Sequence, residues 1–401
     1  MTQQQRCPAS TTLEPRSSLV ADGLDFGPIN LAVIQPTSFC NLNCNYCYLP
    51  DREVRNTLSL DLIEPIFQAL LTSRFLGEVL PVCWHAGEPL SLPLSFYETA
   101  FERIAKASDE YNTKQVPILH SFQTNATYIN QDWCDFIKQH QITIGVSVDG
   151  PAFLHDRQRV TRKGTGSHAA TLRGIAFLKT NEIPFYTISV ITRDSLEYAD
   201  EIFRFFVENE IDDIAFNLEE TEGVHQRSTL SPVELEGQYQ LFMERFWDLC
   251  NYSGYQVKLR EFEQIGELIY SGGRLNHTDM NHPFAIVNFD YQGNFSTFDP
   301  ELLSVKTDRY EDFVLGNVLR DSLDESCWTA KFQHIYQDIK QGVEQCRQTC
   351  EYFGVCGGGA GSNKYWENGR LNSTQTMACR YRTQIPTDIL INKLEGRLGV
   401  S

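Results

Sequence analysis

Two groups of cysteines stand apart from the rest of the chain. In the first, Cys40, Cys44 and Cys47 fall in the short segment CNLNCNYCY. Three closely spaced thiols on one loop can hold three corners of a four-iron cube, because soft iron sites prefer thiolate sulfur, and the fourth iron is left to a non-protein ligand. A zinc site would need a fourth donor, for which Cys83 or His85 are the candidates; structural free thiols are the remaining alternative. In the second group, Cys346, Cys350, Cys356 and Cys379 supply four thiolates, enough to close an iron–sulfur cluster or a tetrahedral zinc site with no open position. Cys7, Cys83, Cys134, Cys250 and Cys327 are dispersed, and thiol identity alone assigns them no catalytic role.

Disulfides are the competing use of twelve cysteines. The opening MTQQQRCPASTTLEPRSSLVADG has no continuous apolar core and does not read as a signal peptide. A cytoplasmic location is therefore expected, where a reducing environment favours metal thiolates. Thirty-four Lys and Arg against 52 Asp and Glu give a net charge of −18, which argues against nucleic acid and favours a neutral or basic peptide partner. No run approaches the roughly 20 apolar residues needed to cross a bilayer, so no membrane partner is expected.

The elements that must position these thiols follow from apolar periodicity. INLAVIQP reads as a first strand ending at the first cysteine loop. LSLDLIEPIFQALLTSRF has helical spacing and VLPVCWH reads as a buried strand. The alternation continues through FYETAFERIAKASDEY, VPILHSFQTN, WCDFIKQH, ITIGVSVDG, HAATLRGIAFLKTN, IPFYTISVI, SLEYADEIFRFFVEN and DDIAFNLEE. Six strands separated by helices imply parallel crossover units, as an open barrel or a doubly wound sheet. In either, the loops at the strands' carboxyl ends, carrying the three cysteines, HAGEP, TNA, SVDG and NLEE, converge on one site. After about residue 225 come two helical stretches and AIVNFDYQGNFSTFDP, a hairpin with Gly293 in its turn. From Cys346 onward thiols and glycines are dense, as expected of a metal-supported domain.

CNLNCNYCY, with Tyr46 directly before the third cysteine, resembles the radical S-adenosylmethionine motif. The resemblance implies an α/β fold: an open (β/α)6 partial TIM barrel over 28–235, preceded by an irregular segment 1–27 and followed over 236–401 by linker helices and an iron–sulfur SPASM-like domain. It also implies S-adenosylmethionine chelating the free iron of a [4Fe-4S] cluster on Cys40, Cys44 and Cys47, with reductive cleavage yielding a 5′-deoxyadenosyl radical. Ala86-Gly87-Glu88-Pro89 occupies the place of the family's Gly-Gly-Glu-Pro motif. Tyr46, Gly87, Glu88, Gln123, Ser147, Arg159 and Asn217 are the implied cofactor-binding residues, with Asn125 and Glu219 nearby. Asp149 equally suits a local turn, and Arg157 and Arg162 compete with Arg159.

Cys346, Cys350, Cys356 and Cys379 resemble the auxiliary-cluster domain of peptide-modifying radical enzymes, implying one auxiliary [4Fe-4S] cluster. Phe298 and Ala360 stand where fuller versions of that domain carry further thiols. With Asp-Pro-Glu-Leu after Phe298 and CGGGAGSNKYWENG, the chain is most similar to the cyclophane-forming GrrM/OscB maturases of glycine-rich repeat peptide systems. That resemblance implies a ribosomally made, glycine-rich precursor peptide as substrate and a bond from an aromatic ring to a β-carbon two residues downstream. It further implies Asp299 as proton acceptor, with Asp290 as the local alternative, and flavodoxin or ferredoxin as electron donor. The competing outcomes are thioether or formylglycine formation, and a non-catalytic electron-transfer protein.

Overall fold

The computed structural model describes residues 25–398 apart from Ser304. The irregular segment expected over 1–27 lies outside the described residues except for 25–27, and so does Cys7. The six expected strands are present as β1 (Leu31–Ile34), β2 (Leu80–Trp84), β3 (Ile118–Thr124), β4 (Thr143–Ser147), β5 (Phe185–Ile191) and β6 (Asp213–Leu218). They pair in parallel in chain order. All four residues of β1 are buried: Ala32 and Ile34 join the main core, while Leu31 and Val33 pack with Cys83 and Ile286 on the opposite face.

The crossovers carry α1 (Ile63–Leu71), α2 (Leu94–Tyr111), α3 (Gln131–Gln139), α4 (Ala152–Gln158), α5 (His168–Thr180) and α6 (Ala199–Glu208). Helix α1 shows why they dock: Ile63, Ile66, Phe67, Leu70 and Leu71 are buried at helical spacing, presenting one apolar stripe to the sheet. Asn130 closes the first turn of α3 by accepting from the Trp133 N–H at 3.0 Å.

The sheet extends past the six strands at both edges. Beyond β6 lies β7 (Lys258–Leu259), in a segment the sequence reads as helical from Lys258; the helix α8 (Arg260–Ser271) begins only after it. On the other side β8 (Ile286–Phe289) pairs in parallel with β1, and β9 (Asn294–Thr297) returns antiparallel to β8. This is the hairpin expected around Gly293, whose φ of +79° makes the turn. Asp290 is committed to that turn, its Oδ1 accepting from the Gln292 and Asn294 N–H groups. The hairpin joins the barrel sheet because the open edge of β1 otherwise leaves backbone donors and acceptors unpaired in a buried setting. Two short strands, β10 (Lys306–Thr307) and β11 (Glu311–Asp312), pair with each other, and β12 (Gly316–Asn317) closes against β9.

Helix α7 (Glu236–Tyr252) covers the β6 side, and α9 (Ala330–Thr349), a long helix that the sequence did not suggest, carries Cys346 into the C-terminal region. There α10 (Phe353–Cys356), α11 (Gly361–Asn368) and α12 (Met377–Cys379) follow, then a π-helical turn at Arg380–Gln384 and α13 (Ile385–Leu398). Among the described residues no helix is long and apolar enough to cross a membrane.

Candidate active site

The first cysteine loop leaves β1 and is strapped to the segment after α4. The Asn43 and Asn45 N–H groups donate to the Val160 and Gln158 carbonyls at 2.7 and 2.9 Å, and the Cys40 N–H donates to the Arg52 carbonyl at 2.9 Å. Arg52 and Arg162 return bonds of 2.9 Å each to the carbonyls of Cys44 and Cys40.

This geometry separates the three arginines that the sequence could not. Arg162 is an exposed strap, Arg157 pairs with Asp194 on the surface, and Arg159 turns inward, 7% exposed, onto Asp149. Arg159 Nε and Nη2 donate to Asp149 Oδ2 and Oδ1 at 3.0 and 3.1 Å, while the Tyr46 hydroxyl donates to Oδ2 at 2.6 Å. The Val190 N–H donates to Oδ1 at 3.0 Å. Asp149 is thus a buried pivot tying the cysteine loop, through Tyr46, to β5, a role larger than the local turn considered from sequence. The guanidinium also lies 5.4 Å from the Tyr46 ring centre.

Gly87 and Glu88 brace the other side of the loop. Gly87 has φ +58°, and a Cβ there would meet the Phe39 carbonyl oxygen at 2.5 Å and that of Thr37 at 2.7 Å. Gly87→Ala is therefore expected to destabilise the fold by roughly 2–4 kcal/mol, since left-handed strain adds to a backbone clash. Equilibrium unfolding under anaerobic conditions measures it, and an unchanged midpoint would show that the loop can yield. Glu88 is 1% exposed. Its Oε1 accepts from the Leu90 N–H at 3.0 Å and the Thr124 hydroxyl at 2.6 Å, and its Oε2 from the Asn125 N–H at 2.8 Å. Burial pushes its pKa up to about 7 against those three donors. Both oxygens of Glu88 accept bonds from the protein, which hold the turn and the end of β3.

Gln123 donates to the Ser147 hydroxyl at 2.9 Å, and Asn217 accepts from Arg260 at 3.0 Å. Asn125 donates to Asn41 at 2.8 Å beside Cys40, while Glu219 accepts from the Thr229 N–H at 2.9 Å.

The four later thiols gather around a glycine turn. Cys346 lies near the end of α9, Cys350 just after it, Cys356 ends α10 and Cys379 ends α12. Gly357, Gly358 and Gly359 all have positive φ. Asn281 pins their turn by donating to the Gly357 and Gly359 carbonyls at 2.9 and 2.8 Å. Phe298, 2% exposed, stacks on Phe332, so its position is filled by core packing; Ala360 lines the cavity beside the thiols.

All seven cysteines of the two groups line one cavity of about 890 Å³, together with Tyr46, Gly87, Glu88, Gln123, Ser147, Arg159 and Asn217. Asp299 does not line it; this side chain is fully buried. Its Oδ2 accepts from the Ser362 N–H at 2.8 Å, and its Oδ1 has no hydrogen-bond partner among the described residues. It does not cap the Asp299-Pro300 turn with its side chain.

Glu220, Glu222 and Glu301 are carboxylates that face the cavity near Asp299. Burial, then the neighbouring Glu301 charge, raises Glu222 well above the usual range; burial raises Glu301 to about 7. Arg382, aimed inward by the π-helical turn, is committed to Glu220 at 2.7 Å. A carboxyl with a folded pKa above its unfolded value near 4.5 stabilises the fold below that value and loses the contribution as pH rises through 7. Glu301→Gln is thus expected to stabilise by roughly 1–2 kcal/mol at pH 8. No change is expected at pH 4, and thermal unfolding at the two pH values checks both signs.

The thiols suit a thiophilic metal group. Burial pushes Cys40 up to about 12 and Cys44 and Cys356 up to about 11, and neighbouring cysteines add to each shift. Buried, mutually repelling sulfurs become thiolates only against a metal charge. Among the described residues no group of three or more His, Cys, Asp or Glu side chains closes on a metal-ion position.

The profile of the Radical SAM superfamily matches residues 34–206, the span from the end of β1 through α6 that builds the cysteine loop and its braces. A protein of Synechocystis sp., sll1766, is 55% identical over 380 residues, covering 95% of this chain and 96% of its own length. The chain belongs to the radical SAM superfamily. Membership makes it an enzyme and implies S-adenosylmethionine with a four-iron cluster. The cysteine-type anaerobic sulfatase-maturating enzyme of Clostridium perfringens is 26% identical to this radical SAM enzyme over 344 residues, spanning 83% of this chain and 88% of its own. The fold is shared with anSMEcpe solved with bound AdoMet and Cp18Cys peptide, at a TM-score of 0.74 and 21% identity over 92% of this chain and 98% of that one. It is shared also with Streptococcus suis SuiB bound to the precursor peptide SuiA, at 0.61 and 16% identity, covering 88% and 76%. The expected open barrel and cysteine-rich SPASM-like extension are thus both present.

Proposed function

We propose that this radical SAM enzyme oxidises a side chain of a peptide held in the cavity between its two cysteine groups. The observation that carries the proposal is that both groups line the same cavity, with Glu222 and Glu301 in its wall. The named relatives support a peptide or protein as substrate, since they mature sulfatases or are solved with bound peptides. In this reading Cys40, Cys44 and Cys47 hold the first cluster, and Cys346, Cys350, Cys356 and Cys379 the auxiliary one. S-adenosylmethionine lies against Tyr46, Gly87, Glu88, Gln123, Ser147, Arg159 and Asn217.

When bound, these groups supply a radical able to remove a hydrogen atom from a substrate carbon and an acceptor for one further electron. The chain's own residues do the rest. The Asp149–Arg159–Tyr46 clamp fixes the cysteine loop, and Glu88 holds the turn opposite it. A carboxylate in the cavity wall or directly behind it takes the proton released with the second electron. Asp299, behind that wall, is the proposed acceptor, since its buried Oδ1 has no donor among the described residues. Glu301 is the second candidate because it faces the cavity. An effective base must reach its proton at the reactive pose.

Asp299→Asn is expected to cut modified peptide at least about 100-fold, the range of lost acid–base catalysis, while 5′-deoxyadenosine still forms. Equal loss of both products would remove Asp299 from the proton step, and the same split seen only in Glu301→Gln would move the role there.

The sequence of the C-terminal region favours cyclophane formation on a glycine-rich precursor. The curated sulfatase-maturating relatives favour oxidation of Cys or Ser to formylglycine, and a thioether is the third product of the same initiation. Cyclophane formation and serine oxidation each remove two hydrogens, so mass alone does not separate them. Tandem mass spectrometry for a new carbon–carbon link, with an aldehyde-reactive probe, does. A product with an aldehyde and no crosslink would sink the cyclophane assignment and keep the radical oxidase.

A further inference from the structure

Helix α11 buries its first turn, Gly361 through Lys364, and Ser362, Asn363 and Lys364 line the cavity beside the second cysteine group. Lys364 is only 4% exposed. Its Nζ lies 3.6 Å from the Cys346 sulfur, and no carboxylate pairs with it among the described residues. A lysine held this way is unusual, because a buried ammonium without a counter-charge is strongly disfavoured. Its flexible stem normally carries the charge out to water. A neutral thiol is a weak acceptor and does not repay that burial. Four thiolates holding an iron–sulfur group do, since the assembly is net negative.

We infer that Lys364 tunes the reduction potential of the iron–sulfur group held by Cys346, Cys350, Cys356 and Cys379, making it a better electron acceptor. Lys364 is a positioning and tuning residue; it touches a sulfur ligand rather than the substrate. The step it serves balances as one electron from the substrate to that group and one proton to a carboxylate in the cavity wall or directly behind it. The group gains one negative charge on reduction, and a fixed cation beside one of its sulfurs stabilises the reduced form more than the oxidised form. Hydrogen bonds to ligand sulfur and net charge are established determinants of such potentials.

The inference rests on the assignment of the second cysteine group as an iron–sulfur site, and the test separates the two. Full-length protein carrying Cys40→Ala, Cys44→Ala and Cys47→Ala isolates the second group and is reconstituted anaerobically. Absence of bound iron there overturns the site assignment itself. With iron bound, a redox titration followed by electron paramagnetic resonance compares Lys364→Gln, Lys364→Met and Lys364→Arg in that background. The neutral variants are expected to need about a tenfold higher reductant-to-oxidant ratio for half reduction, a downward shift of about 59 mV for one electron, while Lys364→Arg stays near the parent. An unshifted midpoint in an iron-loaded neutral variant overturns the inference. If neither neutral variant retains iron, a measurement without substitution decides. With 15Nζ-lysine incorporated, a nitrogen hyperfine coupling to the reduced group is expected in pulsed resonance, and no coupling overturns it.

Discussion

Replacing Cys40, Cys44 or Cys47 by alanine is expected to reduce 5′-deoxyadenosine formation from S-adenosylmethionine to background while the second cysteine group keeps its iron. The first group rides on a loop tied to residues 158–162 and leaves β1, whereas the second is built from α9 through α12. The two groups therefore assemble from different elements, even though their sulfurs line one cavity. Chromatographic quantitation of 5′-deoxyadenosine and of iron per chain tests both halves of the expectation. Cleavage surviving any one of the three substitutions would take the initiating role away from this loop. Iron lost from both groups together would show that the C-terminal site folds only on a completed barrel, since metal binding is coupled to folding.

The largest stability effect is expected at the buried pivot. Arg159→Met leaves the buried Asp149 carboxylate with the Tyr46 hydroxyl and the Val190 N–H as its remaining partners among the described residues. Breaking a buried ion pair from one side costs about 3–5 kcal/mol, because an uncompensated charge remains in a low dielectric. The double variant Arg159→Met/Asp149→Asn removes the charge as well and should recover a large part of that loss. Tyr46→Phe, which deletes a 2.6 Å bond to a carboxylate, is expected to cost about 1.5–3 kcal/mol. Denaturant unfolding of the reduced, anaerobic protein measures all three. Additive costs for the two charged positions would mean that they do not act as a pair.

The six-strand alternation was legible because each strand and helix reports its own burial period within a few residues, so IPFYTISVI and SLEYADEIFRFFVEN announce β5 and α6 without knowledge of what covers them. The hairpin around Gly293 was legible for the same local reason. Its attachment to β1 was not, because strand pairing between Leu31 and Ile286 joins segments some 250 residues apart. Helix α9 escaped notice for a different reason. Its chain, AKFQHIYQDIKQGVEQCRQT, is largely polar, and only Phe332, Ile335, Asp338, Ile339 and Gly342 are buried. The structure likewise shows Asp299 behind the cavity wall and Glu301, two residues on, facing it. Sequence distance cannot distinguish two carboxylates so placed.

Three thiols on one loop and four in a second group were legible from the chain alone. Ligand spacing within one loop is a local covalent constraint, and Cys40, Cys44 and Cys47 meet it without help from the rest of the chain. Folding, by contrast, brings both cysteine groups to one cavity, turns Arg159 rather than Arg157 or Arg162 into it, and lays Lys364 on a sulfur. These are outcomes of long-range packing and of the need to pair each buried charge, and the partners lie 10 residues apart for Arg159 and Asp149 but 18 apart for Lys364 and Cys346.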